Sequence, residues 1–482
     1  MAPRDRLSSL DASFLRVETE NAHMHVAWKG IFQPHPARPR PALSTLRASV
    51  ASRLRHAPRF RQRLAFPPSA LGEPYWVDDP GFDIRRHVTS WLSPRTQVGL
   101  GRFGELADEA LSQPLDRNHP LWHIHLVPRL EDGRVGILCK IHHALVDGKS
   151  AVELALLLFD LSPDAVAEPP DDWRPAAAPG AAGMALAAVS DGVGETFRGA
   201  TRAARMATSP VRSAGRISDT LRKTAMAIES DLLRPAPASY LNAKIGPRRT
   251  LVTHGEPLEP LLAVKREAGV TLNDVCLAVV AGAMRELAFA RRGRPRPLKV
   301  MVPVSVRPED QRGALGNRIS FAFVELPAHE AHAKRRLRIV HEQTTAFKRS
   351  ARPAGTESVL GALGLLPAPL KDRAARLAAS PRVYNLTVSN VPGPRVPVYM
   401  LGAELQEAYP VVPVPEAHAL SIGIFSYGEH AYFGAYADPE ALPEARALPS
   451  YLSASLLTLT RAYGVGRPGA EDGREHVAAR PR

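Results

Sequence analysis

The sequence predicts a mixed α/β protein of two domains, and three observations lead to this fold class. The chain has 482 residues, which is too long for one ordinary hydrophobic core. Strand-like and helix-like segments interleave in both its first and its last part, as they do in α/β proteins. Between these parts the composition shifts to Ala, Pro, Gly and Arg. The predicted organisation is a first domain (1–160), a linker (161–238), a second domain (239–465) and a disordered tail (466–482).

The clearest local signal in the first domain is a β-hairpin. Two β-rich runs, 122–128 and 134–141, flank an Asp132-Gly133 pair, which favours a tight turn. Upstream, the pattern of apolar residues predicts a strand over 23–32 and helices over 42–56 and from residue 104 onward. Helical spacing resumes at residue 149, directly after the second strand of the hairpin.

The second domain shows the same mixture of elements. Thr271 is a suitable N-cap for a long helix through residue 288, because its side-chain oxygen can accept from a free N–H of the first turn. The further predicted strands are 298–306, 319–326, 383–391, 419–427 and 431–436, and the further predicted helices are 333–349 and 442–462.

Composition narrows the class of protein without fixing its function. Hydrophobic residues make up 45% and charged residues 23%, which is typical of a globular chain. The formal net charge of +14 favours an anionic partner: nucleic acid, an anionic membrane surface or a phosphate-bearing substrate. A general Arg-rich bias would explain the same charge. Cys139 and Cys276 lie inside apolar runs, so buried thiols in a reducing compartment are expected. With no secretory signal or spanning stretch, we expect a cytoplasmic protein.

The linker contains a strongly basic stretch over residues 193–223. Several of its basic residues are three, four or seven positions apart, so much of the charge falls on one helical face. Such helices suit peripheral binding to an anionic membrane or lipid droplet surface. A solvated linker that covers the protein's own surface is the alternative. The basic residues are Arg198, Arg202, Arg205, Arg212, Arg216, Arg222 and Lys223.

Two adjacent histidines at a strand end are the strongest candidate for chemistry. His142 and His143 follow the 134–141 strand and precede Asp147 and Gly148. Adjacent strand residues point to opposite faces, so one imidazole can face a channel while the other packs into the scaffold. The same geometry argues against a shared metal ion, so we predict no metal site. A histidine near neutral pKa can remove a proton from an alcohol, although a purely structural pair is the alternative.

Other residues near this segment complete the prediction. Asp147 can organise the loop, and Gly148 lets the chain turn before the next helix. We take Arg307, at the end of the 298–306 strand, as the candidate partner of Asp147. The sequence has no Gly-x-Ser-x-Gly nucleophile elbow, no P-loop and no dinucleotide fingerprint. The mechanism that these absences leave open is direct transfer to a hydroxyl, without a covalent enzyme intermediate or a cofactor.

These residues also carry a resemblance that covers nearly the whole chain. His142 to Gly148 reads as an HHxxxDG motif, which is shared by chloramphenicol acetyltransferases and peptide-synthetase condensation domains. Other segments in order make the chain similar to the bacterial wax ester synthase/acyl-CoA:diacylglycerol acyltransferases. They are Leu7 to Phe14, Met24-His25-Val26, Pro120-Leu121-Trp122, Asn273-Asp274, Val302 to Arg307, Gly316-Asn317 and Ser389 to Pro394.

The resemblance implies two chloramphenicol-acetyltransferase-like halves that meet at a central substrate tunnel. It makes His143 the general base and Asp147 structural, and Asn273 and Asp274 would hold the helix that lines the site. Trp122 would belong to the core or to the substrate channel, and Ser389 and Asn390 would lie near the reacting carbonyl. His119 and His123, on either side of Pro120-Leu121-Trp122, depart from the family's usual Arg or Lys and Glu.

The resemblance also implies the substrates. Acyl-CoA would be the co-substrate, and a long-chain alcohol or diacylglycerol would be the acceptor, giving wax esters or triacylglycerol; no nucleic acid partner is implied. Two alternatives remain open at this point. One is an acyltransferase that esterifies a secondary-metabolite alcohol with the same histidine. The other is a catalytically silent lipid-surface protein of the same fold, against which the intact His143 and Asp147 argue.

Overall fold

A computed structural model describes residues 5–68, 72–145, 157–164, 168–178, 180, 182–186, 190, 234–305, 319–349 and 368–465. The predicted basic stretch over 193–223 and the predicted tail over 466–482 lie outside these residues. In chain order the strands are β1 (Asp5–Arg6), β2 (His25–Gln33), β3 (Gln62–Ala65), β4 (Tyr75–Asp78), β5 (Val88–Ser90), β6 (Trp122–Val127), β7 (Val135–His142), β8 (Thr250–Pro257), β9 (Leu298–Ser305), β10 (Ile319–Leu326), β11 (Leu386–Pro392), β12 (Tyr399–Met400), β13 (Ala403–Val411), β14 (Leu420–Tyr427) and β15 (His430–Ala437).

The helices that the following paragraphs use are numbered in the same way. They are α1 (Ser9–Val17), α2 (Leu43–Arg53), α3 (Ile84–His87), α4 (Leu100–Leu111), α5 (Leu258–Ala268), α6 (Leu272–Ala290), α7 (Ala333–Arg349), α8 (Ala368–Ala378) and α9 (Leu448–Tyr463).

The first half is built on a six-stranded sheet with the order β12-β13-β2-β7-β6-β5. β7 is antiparallel to both β2 and β6, and every one of its residues is buried. Successive side chains alternate between the two faces. Ile137, Cys139 and Ile141 therefore enter an apolar core on one face. Lys140 and His142, on the other face, are also buried, so that face holds polar side chains inside the protein.

The second half is built on another six-stranded sheet, with the order β10-β9-β11-β14-β15-β8. β11 is parallel to β9 and β14, and the other pairs are antiparallel. α6 lies in the apolar core of this half, and α5, α7 and α9 pack around it. The side chain of Thr271 accepts from the N–H of Asp274, as predicted, and the Asp274 side chain accepts from the N–H of Thr271. This reciprocal capping box fixes the start of the helix.

The two sheets approach each other closely along β13. Pro410 of β13 lies against Gly423 of β14 and Gly434 of β15, which are direct partners across those two strands. A Cβ atom at Gly434 would overlap the carbonyl oxygen of Pro410, and one at Gly423 would be 2.9 Å from Pro410 Cγ. Only residues without a side chain let the strands pack at this distance.

The predicted domain boundaries stay a prediction, but the strand order shows that part of the second segment belongs to the first sheet. β12 and β13 belong to the chain segment assigned to the second domain, yet they complete the sheet of the first half, with Ala408 opposite Gly30.

The helix predicted over 442–462 differs in detail from the helix in the structure. Residues Pro443–Ala447 form a 3-10 turn, and α9 begins at Leu448 with Pro449 in its first turn, where a missing N–H costs nothing.

Candidate active site

β7 and the turn after it present the two adjacent histidines. His142 ends the strand, and His143 opens a single 3-10 turn (His143–Leu145). The N–H of His143 donates to the carbonyl of Met24 at 2.8 Å, and the N–H of His142 donates to the carbonyl of Leu121 at 2.9 Å. Both backbones are therefore tied to the chain beside β2 and β6. The backbone positions from which the two imidazoles project are therefore fixed at the end of an interior strand.

The half-buried His143 ring is held flat against an aromatic neighbour. The ring of Phe14 stacks on it with a centroid distance of 3.7 Å and an interplanar angle of 13°. Its buried Nδ1 has no hydrogen-bond partner in another of the described residues. Burial lowers the pKa of the His143 imidazole to about 4; its own backbone carbonyl has a smaller, opposite effect. The ring is therefore neutral at pH 7, and a neutral imidazole can accept a proton.

His142 is fully buried and is turned into the scaffold. Its Nδ1 accepts from the N–H of Ala144 at 3.0 Å. Its buried Nε2 lies 3.4 Å from Oε2 of Glu18, within ion-pair distance, but makes no hydrogen bond with any described residue. Arg117 also contacts this carboxylate. Burial alone would raise the pKa of Glu18, but the contacts with His142 and Arg117 lower it to about 2.

A third imidazole, that of His25, lies beside His142 on the neighbouring strand β2. The two residues are direct partners in the β2–β7 ladder, and their ring centroids are 6.3 Å apart. Neither ring nitrogen of His25 has a hydrogen-bond partner among the described residues. Burial, together with the nearby Lys140 and His142, lowers the pKa of His25 well below its usual value. His25 is therefore a neutral, buried neighbour of the motif.

The structure describes the HHxxxDG segment as far as Leu145. Asp147 and Gly148 lie outside the described residues, and so does Arg307, the candidate partner of Asp147. The structural role of Asp147 and its pairing with Arg307 stay predictions.

The Asn273-Asp274 pair lies at the start of α6. Asp274 is fully buried and accepts from Nδ1 of His341 at 2.9 Å and from the Thr344 hydroxyl at 2.6 Å, which ties α6 to α7. Asn273 is half-buried, and its Oδ1 accepts from the side-chain amide of Asn390 at 3.3 Å. The structure thus joins two of the predicted site segments, one at the start of α6 and one on β11. No hydrogen bond among the described residues joins this pair to His143.

Trp122 is a core residue that also lines a cavity. Its side chain is 1% exposed, its Nε1 donates to the carbonyl of Phe60 at 2.8 Å, and it stacks on His87. A cavity of about 680 Å³ lies beside it at the edge of the first sheet. His119 and His123, the two departures around Trp122, both line this cavity. On its wall, burial lowers the pKa of Lys140 to about 8.

Sequence reasoning did not assign a role to Phe14 or Glu18. Phe14 is part of the N-terminal signature, whose other residues build α1: Ser8 caps the helix, and Leu7 and Ala12 are buried. The place of Phe14 in that signature was the only signal that could have pointed to a contact with His143. Glu18 follows α1 and carries no motif, so its contact with His142 is visible only in three dimensions.

Two six-stranded sheets that meet along one strand, with a neutral histidine at the end of an interior strand, define a class of protein. It is the class of acyltransferases that carry the HHxxxDG motif. Within the described residues this motif is represented by His142 and His143.

Comparison with known proteins identifies the family. The wax ester synthase/diacylglycerol acyltransferase catalytic domain matches residues 7–276, and the C-terminal domain of the same family matches residues 315–460. A Mycobacterium tuberculosis protein whose name reads "probable diacylglycerol O-acyltransferase" is 32% identical over 448 residues, or 92% of each chain. A Mycobacterium bovis protein whose name reads "putative diacylglycerol O-acyltransferase" is 30% identical over 470 residues, which cover 96% of this chain and 100% of the relative. The chain belongs to the wax ester synthase/diacylglycerol acyltransferase family.

Solved structures agree on the fold. The wax ester synthase/diacylglycerol acyltransferase from Marinobacter aquaeolei VT8 matches with a TM-score of 0.66 and 23% identity, over 96% of this chain and 100% of that chain. The first condensation domain of the calcium-dependent antibiotic synthetase matches with a TM-score of 0.58 and 16% identity, over 96% of both chains. These similarities confirm the predicted α/β fold of two chloramphenicol-acetyltransferase-like halves.

Proposed function

We propose that this protein transfers a fatty acyl group from acyl-CoA to the hydroxyl of a long-chain alcohol or of diacylglycerol, with His143 as the general base. The observation that carries the proposal is the state of His143. Its imidazole is neutral, half-buried and fixed at the end of β7 by Phe14 and by the carbonyl of Met24. Its Nδ1 is buried, so Nε2 is the nitrogen that can reach a substrate.

The reaction follows from this arrangement. Nε2 of His143 accepts the proton of the acceptor hydroxyl while its oxygen attacks the thioester carbonyl carbon. The carbon–oxygen bond forms, the tetrahedral intermediate collapses, and the carbon–sulfur bond breaks. The imidazolium then returns its proton to the coenzyme A thiolate. We propose that Asn390, held by Asn273, and the neighbouring Ser389 line the site near this carbonyl.

The substrate class follows from the family and from simple energetics. The relatives named diacylglycerol O-acyltransferase support a diacylglycerol acceptor, and the family description adds wax ester synthesis. Each buried methylene of an acyl chain contributes about 0.8 kcal/mol, so an apolar tunnel binds long chains without specific polar contacts. The net charge of +14 suits the phosphates of coenzyme A.

One assay tests the proposal. Purified protein would be given palmitoyl-CoA with either hexadecanol or dioleoylglycerol, and wax ester, triacylglycerol and free coenzyme A would be measured. We expect ester formation with at least one acceptor. His143→Ala should lower the rate by at least about 10²-fold, because the proton acceptor is gone, whereas His142→Ala should be milder or act through folding. His430→Ala, at an exposed position on β15, is the matched control and should retain full activity.

Three results would contradict the proposal or part of it. Coenzyme A release only with a non-lipid alcohol would favour an acyltransferase of secondary metabolism. No release with any acceptor would favour a catalytically silent lipid-surface protein. A dead His142→Ala variant beside a nearly normal His143→Ala variant would reverse the roles of the two histidines.

We propose further that the protein binds membrane or lipid droplet surfaces peripherally. The basic stretch over 193–223 and the lipid acceptors of the family support this. Within the described parts of the chain, no single helix is long and apolar enough to cross a bilayer. Only α5 and α6 together, bent by 110° where they join, meet that criterion, and α6 is buried in the core of the second half.

Changing Arg198, Arg202, Arg205, Arg212 and Arg216 to Gln tests the membrane proposal. The free energy of binding to anionic vesicles, measured by sedimentation, should weaken by roughly 1 kcal/mol per basic residue near the surface. Turnover of a soluble short-chain alcohol should be retained. A control variant would lose the same charge at exposed arginines elsewhere. Equal sedimentation of the parent and the linker variant at low salt would refute the proposal. The control arginines are Arg85, Arg102, Arg248, Arg266 and Arg335.

A further inference from the structure

α1 lies directly against the turn that carries His143, and it is anchored on its other side. Arg16 near its end contacts Glu73, and its Nε lies 2.8 Å from Oδ1 of Asp372 in α8. Lys371 of α8 reaches the same Glu73 carboxylate at 3.0 Å. These ion pairs hold α1 between α8 and the turn. A side chain on the inner face of α1 therefore has a fixed position relative to the histidines.

Two residues of this segment touch the histidines directly. Phe14 covers one face of the His143 ring, with the rings nearly parallel. Glu18, the residue that ends α1, places Oε2 3.4 Å from Nε2 of His142. Arg117 contacts the same Oε2 of Glu18 and also donates to the carbonyl of Leu15 at 3.3 Å. The Glu18 side chain is thus oriented before any substrate binds.

The hydrogen bond at the other nitrogen of His142 favours one of its two neutral tautomers. Nδ1 accepts from the N–H of Ala144, so in the neutral ring this nitrogen carries no proton. The proton then lies on Nε2, which faces the Glu18 carboxylate. Ala144 is the residue after His143, so the orientation of the His142 ring fixes the backbone on the far side of the base.

We propose that α1 supplies two positioning residues for the acyl-transfer site: Glu18, which acts through His142, and Phe14, which sets the plane and the burial of the His143 ring. The proposal rests on the function proposed above. Neither residue contacts a reacting atom in it. Glu18 keeps His142 as the Nε2–H tautomer, and this tautomer holds the turn. Phe14 excludes water from one face of the base.

The charged and titratable groups around the motif come from four elements. They are His142 and Lys140 on β7, Glu18 after α1, His23 and His25 before and on β2, and Arg117 before β6. Of these, His142 alone contributes to the lowered pKa of His143, and its effect is smaller than that of burial. Removing the Phe14 ring should therefore change the acid–base behaviour of His143 more than removing any one of these charges.

The Glu18 half of the proposal is tested by comparing two variants. Glu18→Ala should lower kcat by about 10- to 100-fold, the range found when a group that orients a metal-ligating histidine is lost, with KM for both substrates unchanged. Glu18→Gln keeps an oxygen that can accept from Nε2–H, so it should restore most of the lost kcat. Parent-like kcat in Glu18→Ala, or equal losses in the two variants, would overturn this role.

The Phe14 half is tested by the pH dependence of kcat/KM. In the parent, kcat/KM should fall below about pH 4, where His143 takes up its proton. In Phe14→Ala, water reaches the ring and the acid limb should move by about one pH unit or more toward the ordinary histidine value. Phe82→Ala is the matched control, because Phe82 stacks on His87, outside the motif, and its loss should not move the limb. An unmoved limb in Phe14→Ala would overturn this role.

A measurement without turnover separates this proposal from the proposed function. ¹⁵N-labelled histidine side chains report tautomer and protonation by NMR, and His142→Gln and His143→Gln variants would assign the two signals. We expect Nε2–H at His142 in the parent and a mixture of tautomers in Glu18→Ala. An Nδ1–H form in the parent would overturn the proposal even if the enzyme were fully active. Failure to form any ester would overturn the proposed function and leave this result standing.

Discussion

The close approach of the two sheets at Pro410 predicts a graded response to added methyl groups. In Gly434→Ala the new Cβ would overlap the Pro410 carbonyl oxygen, which belongs to the backbone of β13. In Gly423→Ala the nearest atom, at 2.9 Å, is Cγ of the Pro410 ring, and the Pro410 carbonyl oxygen, at 3.1 Å, is crowded but not overlapped. A backbone atom moves only if its strand moves, whereas a ring can pucker. Gly434→Ala should therefore destabilise the protein more than Gly423→Ala.

Overpacking a tight site costs about 1–3 kcal/mol. We expect Gly434→Ala to lose about 3 kcal/mol of unfolding free energy and Gly423→Ala about 1 kcal/mol. Gly255→Ala, on β8 of the same sheet, is the matched control, because its Cβ would meet only Tyr432 at an ordinary 3.5 Å. That change should be neutral or slightly stabilising, since it removes freedom from the unfolded chain.

Urea unfolding followed by tryptophan fluorescence would measure the series, with activity as a second readout of how the halves dock. We expect the order Gly255→Ala, Gly423→Ala, Gly434→Ala from most to least stable. A Gly434→Ala variant with the urea midpoint of the parent would show that β13 does not pack on β15 at this distance. An equal loss in Gly255→Ala would show that the sheet responds to glycine replacement in general.

Three further predictions concern buried polar groups. Asp274→Ala should lower the unfolding free energy, measured in a thermal melt, by about 1–3 kcal/mol, because buried donors lose their acceptor. Glu259→Gln, which removes one member of an exposed ion pair, is the control and should change it by less than about 1 kcal/mol. Cys139 and Cys276 should resist alkylation at pH 8 until the chain is unfolded, because burial raises the pKa of both thiols, that of Cys276 to about 12. Because the pKa of Glu18 is depressed in the folded protein, its contribution to stability is present above about pH 4.5 and is lost as the pH falls toward about 2. Glu18→Gln should flatten this part of the stability profile in urea titrations at each pH.

Elements whose signals are local were predicted closely. The N-cap at Thr271 is confirmed, because a capping box depends on residues three positions apart. The predicted strand over 319–326 and helix over 333–349 match β10 and α7 residue for residue, since their apolar periodicity is strong. The predicted β-hairpin is confirmed as β6 and β7, and it places the two histidines at the end of a buried strand.

What the sequence did not predict depends on contacts between distant segments. β13 has no local feature that assigns it to the sheet of the first half. The contact of Phe14 with His143 joins residues that are far apart in the chain, and no periodicity encodes it. For the same reason the sequence could propose a base at His143 but not its low pKa, which follows from burial among residues of several elements.

The pairing of β13 with β2 has a consequence for biosynthesis. β2 emerges early from the ribosome, but its partner on one side is translated only near the end of the chain. Until then β2 is an open edge, and an unpaired edge strand can recruit other chains. The strand β7, which carries His142, is next to this edge, so the candidate site reaches its final form only after release of the C-terminal segment. Fragments that stop before residue 399 should therefore aggregate during expression, and full-length protein should depend on chaperones while it is being made.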